Sequence, residues 1–161
     1  SQECQNLVLR KNNLIDLINE NIKLLNELDK SIEIAFIKNA NNVFLECDKE
    51  QLSRVFLNLI KNSIESIQQK KSEKISKFNK KITIELSENN TQISVIINDN
   101  GIGFDNFNKN VREVLNPYIT TKKNGTGLGL SIVNKIVNDH NGRIEFLSVK
   151  EGAKIKITFV K

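Results

Sequence analysis

Apolar residues return at three- and four-residue intervals early in the chain. Leu14, Leu17, Ile18, Leu24, Leu25 and Leu28 predict an amphipathic helix over about 12–28. Between 31 and 37 the period changes to two, with Ile32, Ile34 and Phe36 alternating with polar neighbours, and Val43–Leu45 is a second short apolar run. A pair of strands is expected there. Asp48 then stands in an N-cap position ahead of Leu52, Val55, Phe56, Leu59, Ile60, Ile64 and Ile67, one stripe at helical period that predicts a helix over about 49–69. The β-branched runs Ile82–Leu86 and Ile93–Ile97, joined by the polar Ser87–Gln92, predict two neighbouring antiparallel strands. From Asn98 to Gly127 the chain is polar, with glycines at both ends and its sole proline, Pro117, inside; about 104–125 reads as a long functional loop of the kind that forms lids. A helix follows from Gly129 to about Asp139, stopped at Asn141–Gly142 in the manner of a glycine cap, and strands are expected at about 143–149 and 153–160. Neither an internal repeat nor a domain linker interrupts this order, so 1–161 is read as a single domain.

Composition refines the picture in three ways. A chain of 161 residues can bury one sizeable core, and 6% aromatics without Trp make that core aliphatic. The formal charge of +5, from 24 Lys and Arg against 19 Asp and Glu, is compatible with a polyanionic partner. The basic residues thicken between Lys70 and Lys81, which reads as a solvated, lysine-rich connection from helix to strand. Cys4 and Cys47 have neither CxxC spacing nor the numbers for a disulfide framework, which fits a reducing cytoplasm and no structural zinc. No apolar run approaches the length of about 18 residues that crosses a bilayer. A soluble cytoplasmic piece is expected, compatible with a parent anchored in a membrane beyond its ends.

Three polar segments carry candidate chemistry. In LNLIKNSIESI at 57–67, Asn58, Asn62 and Glu65 share one helix face opposite the apolar stripe. Asn is a mediocre helix former, so two of them four residues apart suit ligation of a hard cation through carboxamide oxygens; a solvated face is the alternative. NDNGIGFD at 98–105 ends an apolar strand. Its Asp99 could accept a hydrogen bond from an exocyclic amine, the chemistry that chooses adenine over guanine, although DNG is also a hairpin turn signal. NGTGLGLSIV at 124–133 sets Gly125, Gly127 and Gly129 before a helix, where free backbone amides and the helix dipole favour a phosphate; a flexible loop leading into a capped helix reads equally well. The spacing is neither the dinucleotide fingerprint nor a P-loop.

In this order the segments resemble the GHKL ATP-binding superfamily and, within it, the histidine kinase catalytic domain. LNLIKNSIESI resembles the N box, NDNGIGFD the first glycine box, NPYITTK at 116–122 the F box and NGTGLGLSIV the second glycine box. The resemblance covers about 48–160, and LVLR, PYITTK and GLGLSIVNKIVNDHNG are most similar to the NtrB/NtrY nitrogen-regulation sensor kinases. It implies an α+β, two-layer α/β sandwich of the Bergerat type, a mixed and mostly antiparallel sheet covered on one face by about three helices. Residues 1–11 would be a linker remnant from a dimerisation domain, and 104–125 the ATP lid. The implied ligands are ATP and Mg2+. Asn62 would be the magnesium ligand, Asn58 a second candidate at the metal or phosphate side, and Asp99 the adenine acceptor, with Gly101 and Gly103 shaping the base pocket. Gly125, Gly127, Leu128 and Gly129 would offer backbone to the phosphates and Lys122 a cation. Thr121 and Thr126 are placed in the same site, and Tyr118 stands where the family more often has Phe. Glu65 occupies a position where many relatives carry Lys or Arg, so that contact is not carried over.

The same resemblance implies an ATP:protein-histidine phosphotransferase that passes its γ-phosphoryl group to a histidine on a separate dimerisation domain, with a response regulator as the further partner. The only histidine, His140 in NDHNG, ends the last helix, a poor place for a phosphoacceptor, so self-phosphorylation of the chain is not expected. Two relatives of the fold are alternatives, an anti-sigma type serine/threonine kinase and an ATPase of the chaperone, topoisomerase or mismatch-repair kind. The ATPases carry a general-base glutamate where Asn58 stands, and an amide cannot take a proton from water. A nucleic-acid module drawing on Lys70–Lys81 lacks interleaved aromatics, with only Phe78 in that stretch.

Overall fold

A computed structural model describes residues 6–73, 78–103 and 129–161 of the chain. Their elements run β1 (Arg10–Asn13), α1 (Leu14–Leu25), β2 (Glu33–Lys38), β3 (Phe44–Cys47), α2 (Lys49–Glu73), β4 (Lys81–Glu88), β5 (Gln92–Asp99), α3 (Gly129–Asp139), β6 (Gly142–Leu147) and β7 (Ala153–Val160). Five strands form one mixed sheet in the order β2-β4-β5-β7-β6. The β2–β4 pair is parallel because α2 carries the chain across between them, and the other three pairs are antiparallel. The three helices and this sheet make the α/β sandwich that the resemblance implied.

Period-two alternation decides which sheet face is covered. Ile82, Ile84 and Leu86 of β4, Ile93, Val95 and Ile97 of β5, and Ile155, Ile157 and Phe159 of β7 are all buried in one core. Leu52, Val55, Phe56, Leu59, Ile60, Ile64 and Ile67 of α2 meet them, flanked by Leu14, Leu17 and Ile18 of α1 and by Val133, Ile136 and Val137 of α3. Each such side chain contributes about 1.5–3 kcal/mol on burial. The caps are local: Asp48 Oδ1 accepts from the Gln51 amide at 3.2 Å, and Asn13 Oδ1 from the Ile15 amide at 3.1 Å.

Several expectations need correction. The strands expected at 31–37 and 43–45 both form but are not neighbours, since β3 pairs with β1 in a separate two-stranded sheet. RKNN of β1 has no apolar period to reveal it; polar contacts hold it, including Asn12 Nδ2 to the Cys47 carbonyl at 3.1 Å. Arg10 and Lys11 therefore belong to the domain, inside the stretch expected to be linker. The first helix ends at Leu25, leaving Leu24 and Leu28 exposed, while Asn21 takes the core position and bonds Ser53 across to α2 at 3.1 Å. Past α3 the residue with positive φ is Asn141, at 58°, and Gly142 already begins β6.

Candidate functional site

The alternation that buries Ile93, Val95 and Ile97 also turns the last residue of β5, Asp99, inward beneath α2, where it is 5% exposed. Its Oδ1 accepts the Gly101 amide at 2.8 Å and the Ser66 hydroxyl at 3.3 Å. Burial pushes the Asp99 carboxyl above its ordinary range, partly offset by donation from Gly101, Ser63, Ser66 and Ala153. This is a buried carboxylate held by directional donors at the end of β5.

The turn after Asp99 is shaped by close approach. A Cβ on Gly101 would lie 2.2 Å from Ser66 Oγ and 2.5 Å from the Ser66 carbonyl carbon, so the backbone runs directly against α2. Gly103 has φ +77°, and its Cβ would meet the Gly152 carbonyl oxygen at 2.3 Å. Gly152, in the β6–β7 turn with φ +79°, would in turn drive a Cβ to 1.7 Å from the Asp99 carbonyl oxygen. Gly101 and Gly103 thus fall in the wall around Asp99, and Gly152, Ser63 and Ser66 join them unforeseen. Two serines in a helix gave no signal by themselves, because their meaning depends on which strand end passes beneath.

Asn58 and Asn62 stand on α2 at intervals of four that continue to Ser66, so all three lie along one stripe leading to Asp99. Asn58, Asn62 and Glu65 are half-buried rather than fully solvated. Carboxamide oxygens on such a stripe suit a hard cation that keeps other oxygen ligands of its own. Among the described residues, no group of three or more His, Cys, Asp or Glu gathers as an alternative metal site.

The next residue at that interval, Lys70, overturns the solvated reading of the basic stretch at its start. Lys70 is 6% exposed; its Nζ donates to the Asn100 carbonyl at 2.9 Å, pairs with Glu151 and lies 4.4 Å from the centre of the Phe78 ring. His140 is also fully engaged. Its Nε2 accepts the Asp48 amide at 3.0 Å and its Nδ1 faces the Ile136 carbonyl at 2.8 Å, which ties the end of α3 to the start of α2 and fits a structural role.

Gly129 opens α3, and a Cβ there would meet nothing within 4 Å. Tyr118, Thr121, Lys122, Gly125, Thr126, Gly127 and Leu128, together with the expected lid at 104–125, lie outside the described residues. Among the described residues no helix is long and apolar enough to cross a membrane.

Comparison with known proteins gives this geometry a family. A sensor histidine kinase of the NtrY-like kind from Rickettsia conorii is 34% identical over 150 residues, 92% of this chain and 24% of its own length. Sporulation kinase A of Bacillus subtilis is 32% identical over 161 residues, 98% of this chain and 25% of its own. The chain thus spans about a quarter of the length of the curated relatives it matches. The catalytic domain of histidine kinase ThkA superposes with TM-score 0.81 at 28% identity, covering 96% of this chain and 97% of that one. The same kinase in complex with response regulator protein TrrA superposes with TM-score 0.76 at 26% identity, over 95% of this chain and 42% of that one. Residues 47–161 match the family model described as histidine kinase-, DNA gyrase B-, and HSP90-like ATPase, and with the sandwich and the buried Asp99 in place the chain belongs to that family.

Proposed function

We propose that this chain binds Mg-ATP and donates the γ-phosphoryl group to a histidine on a separate dimerisation and phosphoacceptor domain, in two-component signalling that continues to a response regulator. The observation that carries this reading is Asp99, a buried carboxylate at the end of β5 walled by Gly101, Gly103 and Gly152 against α2. Asp99 is the acceptor for the adenine amine. Asn62, with Asn58 as a second ligand, holds Mg2+, whose charge offsets that of the phosphates. Gly129 and the N-terminus of α3 lie on the phosphate side, and by sequence Tyr118, Thr121, Lys122, Gly125, Thr126, Gly127 and Leu128 belong to the same site. Residues 1–161 then form one domain, with 104–125 as its lid and the residues before β1 as the link to the dimerising helices. The parent protein is a sensor kinase of the NtrY type held at the bacterial inner membrane.

In the transfer the bond from the β–γ bridging oxygen to the γ-phosphorus breaks as an imidazole nitrogen of the acceptor bonds to that phosphorus, leaving ADP. Such chemistry asks the protein mainly for positioning and charge neutralisation. Asn58 favours transfer over hydrolysis, because its amide cannot act as a base toward water. Incubation with ATP labelled at the γ-phosphate tests the reading. The chain alone should take up no label and release little phosphate, label should pass to a histidine once the phosphoacceptor helices of the parent are supplied, and Asn62→Ala should stop it. Appreciable labelling of the isolated chain would remove the separate acceptor from the account, and Asn58→Glu is expected to increase phosphate release.

A further inference from the structure

A nearly buried ammonium needs compensation, and at Lys70 that compensation comes from two segments distant in sequence. One is the exit of β5. Lys70 Nζ donates to the Asn100 carbonyl at 2.9 Å, and Asn100 is further tied to Lys81, its amide reaching the Lys81 carbonyl at 3.3 Å and its Oδ1 accepting the Lys81 amide at 3.0 Å. The other is the β6–β7 turn, where Lys70 pairs with Glu151, the residue before Gly152. These are the segments that press together around Asp99, since a Cβ on Gly152 would lie 1.7 Å from the Asp99 carbonyl oxygen and 2.8 Å from the Asn100 Cα. The Glu151 side chain is 63% exposed, so it would stay hydrated without its partner, and the ion pair is a weak source of stability. What the buried ammonium does provide is geometry.

We propose that Lys70 is a positioning residue for nucleotide binding. By pinning Asn100 and Glu151 to α2, it holds the Asp99–Gly103 turn and the Gly152 turn as one preformed wall for the base. The inference rests on the adenine-site reading given above. It predicts that removing the charge while keeping the stem weakens nucleotide binding more than it weakens the fold, because a wall that must order on binding lowers affinity.

Calorimetric titration of the full chain with Mg-ATP, beside urea unfolding of each variant, tests this. Lys70→Met should lose about tenfold in affinity while remaining folded, Lys70→Arg should recover most of it, and Glu151→Gln should lose about two- to threefold. Wild-type affinity in folded Lys70→Met would overturn the inference. If Lys70→Met does not fold, the exposed Glu151→Gln decides, and unchanged affinity there would overturn it equally. Failure of the folded wild-type chain to bind Mg-ATP would instead bring down the adenine-site reading and this inference with it, whereas binding lost in Asp99→Asn but kept in Lys70→Met would remove the role of Lys70 alone.

Discussion

Two aspartates serve opposite halves of α2, and both are nearly closed to water, Asp48 at 8% exposure and Asp99 at 5%. Their carboxyls are nevertheless driven in opposite directions. Asp48 caps the helix, and the Val8 amide at 3.0 Å, joined by those of Gln51 and Glu50 and by His140 nearby, holds it below the ordinary carboxylate range. Asp99 receives donors too, but burial outweighs them and raises it. The cap is complete within the chain, its acceptor capacity used by backbone donors that the fold supplies. Asp99 has as many donors, so the opposite direction comes from its stronger desolvation, a combination often met at ligand sites.

The sharpest way to break this contrast is to neutralise Asp99 without changing its shape. If Asp99 is the proposed adenine acceptor, Asp99→Asn should reduce ATP affinity on the order of 100-fold, read by calorimetry, because that acceptor loses its charge. The same variant should be no less stable than wild type in urea at neutral pH, since it removes a buried charge and can still accept from Gly101 and Ser66. A large loss of stability would mean that Asp99 is a structural residue like Asp48. Smaller in effect, Asp48→Ala should lower stability by about 1 kcal/mol and the melting temperature by about 3 °C, with ATP affinity within about twofold of wild type. A parallel fall in affinity would couple the cap to the site.

The pH dependence of stability separates the two residues most finely. Asp48 has a lowered folded value, so its contribution is fully present above the unfolded value of about 3.9 and fades as pH falls through the folded one. Asp99 has a raised folded value, so the folded chain binds its proton more tightly than the unfolded chain. Its contribution therefore falls as pH rises from about 3.9 through the raised value. Difference curves of unfolding free energy against pH should slope oppositely for Asp48→Asn and Asp99→Asn, and slopes of the same sign would remove the distinction.

Much of this arrangement could be read from the chain because periodicity and glycine spacing are local. The α2 stripe, the β4–β5 pair, the Asp48 cap and the turn after Asp99 are each written in neighbouring residues. β1 was illegible since RKNN has no apolar alternation and is held by polar contacts to β3, more than thirty positions further along the chain, where Arg10 pairs with Cys47. Lys70 misled for a related reason. A lysine in a basic run looks solvated, and only the return of β5 and of the β6–β7 turn beneath it supplies the Asn100 carbonyl and Glu151 that make its burial tolerable. Ser63 and Ser66 are meaningful for the same tertiary cause. Of the site expected from sequence, Asn58, Asn62, Asp99, Gly101, Gly103 and Gly129 lie among the described residues, and Asp99, Gly101 and Gly103 are brought together there against α2 and the β6–β7 turn.

The most direct measurement is a calorimetric titration of the folded chain with ATP and with GTP, each with and without magnesium. The proposed site predicts magnesium-dependent binding of ATP and exclusion of GTP, because in it Asp99 would accept from an exocyclic amine placed as in adenine and the cation would sit beside the phosphates. Equal binding of the two nucleotides, or none by a chain shown to be folded, would contradict it.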